Sequence, residues 1–269
     1  MPEGPECRQI AMQLSQCLTD TTLSQISILS GRYSRHDSPH GFSQFTSSLP
    51  LKILGAGVHG KFIYILLGSE WSIWCTLGMT GGWSQSRSSH ARLEFQIQER
   101  GALYFNDVRN FGTLKFVKGK EELIEKLSSL GPDMLSEDIS DTLFQQSILS
   151  RPNKTIAQAL MDQSTIAGVG NYIKAESLYL AKISPHRICK DLSQLELVAL
   201  NRAIKSVIRE SFENGGATLQ SYKDLSGEPG RFNEQFCVYG KSLDPSGRDV
   251  IRERTKDGRT THWVPTIQV

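Results

Sequence analysis

The chain has 269 residues, of which 38% are hydrophobic and 22% charged, and its formal net charge is +2. That composition excludes a largely disordered chain and supplies apolar material for two cores, while a charge near zero neither requires nor excludes a nucleic-acid partner. The longest apolar run, Phe62–Leu67, is far too short to cross a bilayer, and the N-terminal residues lack the basic and apolar regions of a secretory signal.

Residues 4–18 read as a helix, with Ile10, Ala11, Leu14 and Leu18 on one face. After Asp20 the pattern turns to short strands at 23–29, 51–58, 61–67, 71–77, 91–98, 102–106 and 112–117. Turn residues separate them, among them Ser38-Pro39, Gly68-Ser69, Gly81-Gly82 and Arg100-Gly101. Many short strands beside one N-terminal helix suggest a two-sheet sandwich. From Lys118 the period becomes helical, with helices at 121–128, 141–149, 155–162, 171–182 and 192–213. The last is capped by Asp191 or Ser193, carries a stripe of Leu195, Val198, Ile204, Val207, Ile208 and Phe212, and ends at Gly215-Gly216. The tail, 236–267, returns to strands.

Five cysteines (Cys7, Cys17, Cys75, Cys189 and Cys237) are scattered with no Cys-x-x-Cys pair. Neither a disulfide framework nor a cysteine zinc site is supported, and a reducing intracellular compartment fits best.

Four stretches carry chemistry. Once Met1 is removed, Pro2 presents a secondary amine, which proline offers only at a chain terminus. A terminal amine titrates at about 7.7–8.0, so an unprotonated fraction is available to attack an electrophilic sugar carbon. Glu3 and Glu6 are at hand for proton transfer, although acids here also suit the first turn of a helix. In the stretch from Met161 to Tyr179, two helices flank a turn containing Gly168 and Gly170, with Asn171 opening the second helix. Exposed amides there favour an anion such as phosphate, and a plain helix hairpin is the competing reading.

In the tail, strands at 250–255 and 259–264 flank Lys256-Asp257-Gly258, a strong hairpin signal. The tip presents Arg254, Lys256 and Arg259, suited to phosphate recognition or simply solvated. Finally, Met79 in LGMTGG and Arg109 and Phe111 in NDVRNFG stand beside glycines at strand ends. They read either as core or as wedges that fill the hole left by a flipped base. Lys61 follows a glycine at a strand start, within reach of a phosphate or of solvent.

Together these motifs resemble the bifunctional DNA glycosylases of the formamidopyrimidine-DNA glycosylase and endonuclease VIII family. The resemblance rests on MPEGPE at the start, HGKF at 59–62, LGMTGG at 77–82, NDVRNFG at 106–112, MDQSTIAGVGNYIKAESLY at 161–179 and GRTTHW at 258–263, and it covers nearly the whole chain. It implies an α+β fold: a two-layer β-sandwich flanked by helices (1–133), a helical helix-two-turn-helix domain (134–235) and a hairpin (236–269). It implies Pro2 as nucleophile on C1′ of the damaged nucleotide, Glu3 as general acid and Glu6 as a residue ordering the site. Lys61, Asn171 and Arg259 become phosphate contacts, joined by Gly168, Gly170 and Lys256. Met79, Arg109 and Phe111 become the void-filling triad, with Arg109 facing the widowed base.

One departure matters. Family members usually carry a four-cysteine zinc finger in the tail, whereas here Cys237 stands alone. The tail therefore resembles the zincless-finger branch, with no metal and no cofactor expected. The hairpin is then held by packing through Trp263, Val250 and Tyr239.

The expected partner is double-stranded DNA with oxidised bases or abasic sites, bound by a monomer wherever the genome is: a nucleus, a virus factory or a bacterial cytoplasm. Formamidopyrimidines, hydantoins and oxidised pyrimidines are the expected lesions, with 8-oxoguanine open. The rival reading is a non-catalytic binder of damaged or single-stranded DNA, against which the intact Pro2-Glu3 pair argues.

Overall fold

A computed structural model describes residues 2–135, 138–219 and 222–269. They fall into two compact units, the first comprising Pro2, 6–128 and 215–230 and the second 3–5, 129–214 and 231–269.

The first unit opens with α1 (Gly4–Leu18), whose initial residues group with the second unit and the rest with the first. There follow β1 (Thr22–Ile28), α2 (Arg32–Arg35), α3 (Phe42–Thr46), β2 (Leu51–His59), β3 (Phe62–Leu67), β4 (Trp71–Thr76), β5 (Gly81–Ser84), β6 (Ala91–Ile97), β7 (Gly101–Asp107), β8 (Thr113–Lys118) and α4 (Lys120–Ser128). All eight strands pair antiparallel in the order β5-β7-β6-β1-β2-β3-β4-β8.

The β1–β2 pairing spans only Thr22↔Lys52 and Leu23↔Leu51. That short seam lets the sheet divide into two layers, and residues of both layers share one core with Ile10 and Leu14 of α1. Alternation is clean in β6, where Ala91, Leu93, Phe95 and Ile97 point inward.

Gly81 and Gly82, read from sequence as a turn, instead open β5. The turn precedes them, closed by Gly81 N donating to Leu77 O at 2.8 Å. A side chain at Gly81 would strike Leu77 O at 2.3 Å, so glycine serves a close approach there. Short α3 places Phe45 in the core, stacked on Phe116 at 4.7 Å and edge-on to Trp71 at 5.1 Å.

The segment 215–230, continuous in sequence with the helical half, groups with the sheet unit. Ala217, Tyr222 and Leu225 are buried, the last two in the sheet core. Polar ties to α1 reinforce this: Glu6 accepts from Ala217 N at 2.6 Å, and Gln13 bonds Asp224 Oδ2 at 2.7 Å and Leu225 N at 2.8 Å.

The second unit holds α5 (Asp141–Leu149), α6 (Ile156–Met161), α7 (Asn171–Leu180), α8 (Gln194–Glu213) and the hairpin β9 (Ile251–Arg254) and β10 (Thr260–Trp263). Ser193, not Asp191, caps α8 through a capping box with Glu196. Its buried stripe is Leu197, Leu200, Ile204, Val207 and Ile208, whereas Leu195 is 81% exposed. The stripe therefore differs from the sequence expectation at its N-terminal end, where Leu197 rather than Leu195 lies one helical turn before Leu200.

Candidate active site and nucleic-acid interface

In the first unit Pro2 is buried and lines a cavity of about 250 Å³ with Met79, Trp83, His90, Asn106, Tyr222 and Asp224 among its walls. That is just below the usual range for small-molecule sites, about 300–1,000 Å³, and suits a compact ring with polar edges. The wall contributed by 215–230 depends on Glu6 and Gln13. Burial, with the nearby Glu6 carboxylate, pushes the Tyr222 hydroxyl pKa well up, so Tyr222 is a neutral, largely apolar wall.

Met79, Arg109 and Phe111 come together at the ends of their strands. The Arg109 guanidinium lies 4.9 Å from the Phe111 ring centre, and its Nη1 approaches Met79 Sδ at 3.3 Å. Phe111 is 53% exposed, so the core reading of this residue does not hold.

Asp107, itself buried, organises the cluster. Its Oδ1 accepts from Thr80 Oγ1 at 2.5 Å and Arg109 N at 3.2 Å, and its Oδ2 accepts from Gly112 N at 2.6 Å. Thr80 Oγ1 also accepts from Arg109 N at 3.0 Å, tying the Met79 turn to the Arg109 loop. Arg92 and Arg32 secure the same loop by donating to the Asp107 and Gly112 carbonyls at 2.7 and 2.9 Å. Lys61 is half-buried in the two-residue turn between β2 and β3, beside Gly60 at φ +57°.

In the second unit, α6 and α7 flank the turns at 162–170. Gln163 clamps them, accepting from Gly168 N at 3.1 Å and donating to Val169 O at 3.0 Å. Gly168 sits at φ +94° and accepts from Gly4 N at 2.9 Å. The first turn of α7 has no cap from its own chain neighbour, because residue 170 is glycine. Glu3 supplies it instead: its two carboxylate oxygens accept from Tyr172 N at 3.0 Å and Ile173 N at 3.3 Å. Glu3 is thus a buried carboxylate held at a helix N-terminus.

Asn171 donates one hydrogen of its amide to Thr260 O at 2.8 Å, linking α7 to the hairpin. The hairpin register pairs Thr260↔Arg254 through Trp263↔Ile251, and Gly258 takes φ +78° in the connecting loop. Arg254, Lys256 and Arg259 are all exposed at this end. Lys256 also lines a shallow groove with Arg151, Lys154 and Gln158.

Glu176, which sequence reading passed over although it lies within the central motif, anchors the tail. Its carboxylate accepts three successive amides, from Cys237 at 2.8 Å, Val238 at 3.0 Å and Tyr239 at 2.7 Å. Burial raises its pKa, and those three amides pull against the rise. Val238 and Val264 form a small core with Ala175, against which Val250 and Tyr239 pack. Trp263 works differently, donating its indole N–H to Glu253 at 2.6 Å and meeting the His186 ring edge-on at 5.3 Å.

The tail does not offer the donors of a structural zinc finger. Cys237 is its single thiol, and among the described residues no group of three or more His, Cys, Asp or Glu is placed to hold a metal ion.

Residues 1–114 match the family model described as formamidopyrimidine-DNA glycosylase N-terminal domain, and residues 130–223 match that of the formamidopyrimidine-DNA glycosylase H2TH domain. Formamidopyrimidine-DNA glycosylase of Thermus thermophilus is 35% identical over 276 residues, covering 100% of this chain and 98% of the relative. The Shouchella clausii enzyme is 30% identical over 277 residues, covering 100% and 99%. Among solved structures, the MutM (Fpg) protein of Thermus thermophilus superposes with a TM-score of 0.86 at 33% identity, over 99% of this chain and 98% of that one. A Lactococcus lactis Fpg variant in complex with Fapy-dG-containing DNA gives 0.87 at 26% identity, over 99% of each chain.

These matches define a DNA glycosylase of base excision repair. The chain belongs to the formamidopyrimidine-DNA glycosylase family.

Proposed function

We propose that this glycosylase is bifunctional, excising oxidised bases from duplex DNA and then cutting the strand through a Schiff base on Pro2. The observation that carries the reading is the position of Pro2 in the wall of the cavity that Met79, Tyr222 and Asp224 also line. Removal of Met1, which lies outside the described residues, exposes the secondary amine. Its lone pair attacks C1′ of the extruded nucleotide, the base departs with the glycosidic electron pair and takes up a proton, and the attached nitrogen gives up its own. Opening of the sugar ring, with Glu3 protonating the ring oxygen, leaves an iminium ion on C1′. That ion acidifies the C2′ protons, so loss of one expels the 3′ phosphate by β-elimination. A second elimination expels the 5′ phosphate, and water hydrolyses the iminium to regenerate the amine. Glu6 orders the cavity wall through Ala217.

Lys61, Asn171, Lys256 and Arg259 contact DNA phosphates in this reading, with the Gly168–Gly170 turn allowing close approach of the backbone. Met79, Arg109 and Phe111 fill the space the flipped nucleotide leaves, Arg109 facing its former partner. Lactococcus lactis Fpg has been crystallised with DNA containing Fapy-dG, an oxidised pyrimidine and an abasic site. Those complexes support formamidopyrimidines and oxidised pyrimidines as substrates here; hydantoins join them in this reading, and 8-oxoguanine is left open. The protein acts as an intracellular monomer on its genome and uses a hairpin without zinc, as in the zincless-finger branch.

Borohydride reduction during turnover on an 8-oxoguanine or abasic duplex tests the mechanism. A covalent protein–DNA adduct is expected, and Pro2→Gly should greatly reduce it. An active enzyme that yields no adduct would sink the Schiff base. Stoichiometric zinc in active protein by elemental analysis would refute the metal-free hairpin.

A further inference from the structure

One buried ion pair has no part in that chemistry. Lys174 Nζ meets Asp257 Oδ2 at 2.5 Å, with the two side chains 0% and 2% exposed. Burying two charges is costly, and an apolar pair of similar volume is often as stable, so such a pair points to geometry rather than stability.

Its placement supplies the geometry. Lys174 follows Asn171 by three residues on α7, so the two lie on the same helix face. Asp257 sits in the hairpin loop, and its other oxygen, Oδ1, accepts from Thr255 Oγ1 at 2.5 Å and from Arg259 N at 3.3 Å. Thr255 Oγ1 in turn bonds Thr261 Oγ1 at 2.8 Å across the hairpin. One carboxylate therefore holds the lysine of α7 and the backbone of Arg259 together. On the far side of Arg259, Thr260 O accepts from Asn171. Arg259 is thus tied to α7 from both flanks.

We propose that the Lys174–Asp257 pair is a positioning device that fixes the spacing between Asn171 and Arg259, doing for this hairpin what a metal does for a zinc finger. This rests on reading Arg259 as a phosphate contact. Lys174 touches no substrate; it acts through Arg259. Burial lowers the Lys174 pKa, and the Asp257 carboxylate opposes that shift.

The test is a double-mutant cycle in the full-length protein, with affinity measured across a salt series on a duplex carrying one tetrahydrofuran abasic analogue. In an otherwise unchanged chain, Arg259→Ala should weaken binding about tenfold and reduce the salt slope by about one. Lys174→Met should weaken binding comparably, and adding Arg259→Ala to it should cost less than about twofold more, whereas Lys174→Arg should bind as the unchanged protein does. A Lys174→Met protein that keeps its melting temperature and the full Arg259 contribution overturns the proposal. If Lys174→Met unfolds, the cycle is run in Asp257→Asn, whose amide oxygen retains the Thr255 and Arg259 bonds. An undiminished Arg259 contribution there, or unfolding of that variant too, shows a structural support and overturns the positioning role. If Arg259→Ala alone changes neither affinity nor slope, the phosphate reading of Arg259 fails, a result separable from any outcome at Lys174.

Discussion

The Glu3 carboxylate occupies the space a side chain at residue 170 would need: a Cβ on Gly170 would lie 2.1 Å from Glu3 Cδ. The backbone at Gly170 is extended, at φ −127° and ψ −159°, and any residue adopts that conformation. Contact alone demands glycine here. Gly170→Ala should therefore push Glu3 off the Tyr172 and Ile173 amides, and because the same turn is the proposed approach to phosphate, the rate is read with enzyme in excess and the DNA saturated. A displaced general acid costs about 10²–10⁴ in rate, so with Glu3 in its proposed role of protonating the ring oxygen, single-turnover strand cleavage should fall by at least about a hundredfold. Cleavage at the normal rate would mean that the position of Glu3 does not limit ring opening.

Gln13 offers a way to separate base recognition from strand cutting. It holds the 215–230 segment through Asp224 and Leu225, and that segment lines the cavity through Tyr222, Lys223 and Asp224. Gln13→Met removes both bonds while keeping the side-chain volume, at a stability cost of about 1–3 kcal/mol for the two partners left behind. Base excision should slow about tenfold, as expected when a positioning wall loosens. Cleavage of a preformed abasic site, which presents no base, should be nearly unchanged. Equal losses in both assays would show that the segment supports the whole site rather than the base.

The cluster of Met79, Arg109 and Phe111, the proposed wedge, depends on one hydroxyl. Thr80 Oγ1 donates to Asp107 and accepts from Arg109 N, so Thr80→Val keeps the shape and removes both bonds. The buried Asp107 carboxylate loses a partner, costing about 1–3 kcal/mol. Affinity for a lesion in duplex DNA should drop about tenfold, whereas lyase activity on a single-stranded abasic oligonucleotide, which leaves no void, should hold. A matching loss on single strands would argue that the loop does something other than fill the void.

How far the chain could be read from its sequence follows the range of the interactions. The α1 and α8 helices announce themselves through apolar spacing, and Asp257-Gly258 announces the hairpin, because those signals are local. The short α3 carries too few turns for a period to show, and Gly81-Gly82 imitates a turn while lying in a strand. Met79, Arg109, Phe111, Asn171 and Arg259, to which the proposed wedge and grip roles fall, stand in motifs visible in the sequence. Their supports were not legible, even where they stood inside the same motifs: Asp107, Lys174 and Glu176 act on backbone amides or on partners far along the chain. Glu176, for example, meets residues 237–239 some 60 positions away, and nothing in its neighbours signals that. Gln13 meets Leu225 at a separation of 212 residues, which is why 215–230 reads with the helices it follows rather than with the sheet it joins.

Acid stability provides a test of the hairpin's interior. His262 on β10 is 7% exposed, its ring 4.9 Å from that of Tyr239, and among the described residues its Nδ1 has no hydrogen-bond partner. Burial, and then the charges of Arg252 and Lys174, hold its pKa below the usual histidine value of 6.5. The unfolded chain takes up this proton at about 6.5, while the folded chain does so only at lower pH. Between those two values the unfolded state binds more protons, so the contribution of His262 is fully present above pH 6.5 and is lost as pH falls through the folded value. Thermal melts at pH 7.5 and pH 5 should show the unchanged protein losing more stability than His262→Phe, each ~1 kcal/mol of difference shifting Tm by about 2–4 °C in a chain this large. Parallel losses in the two proteins would mean that His262 takes up its proton at the same pH in the folded and unfolded chain, as a solvated imidazole does.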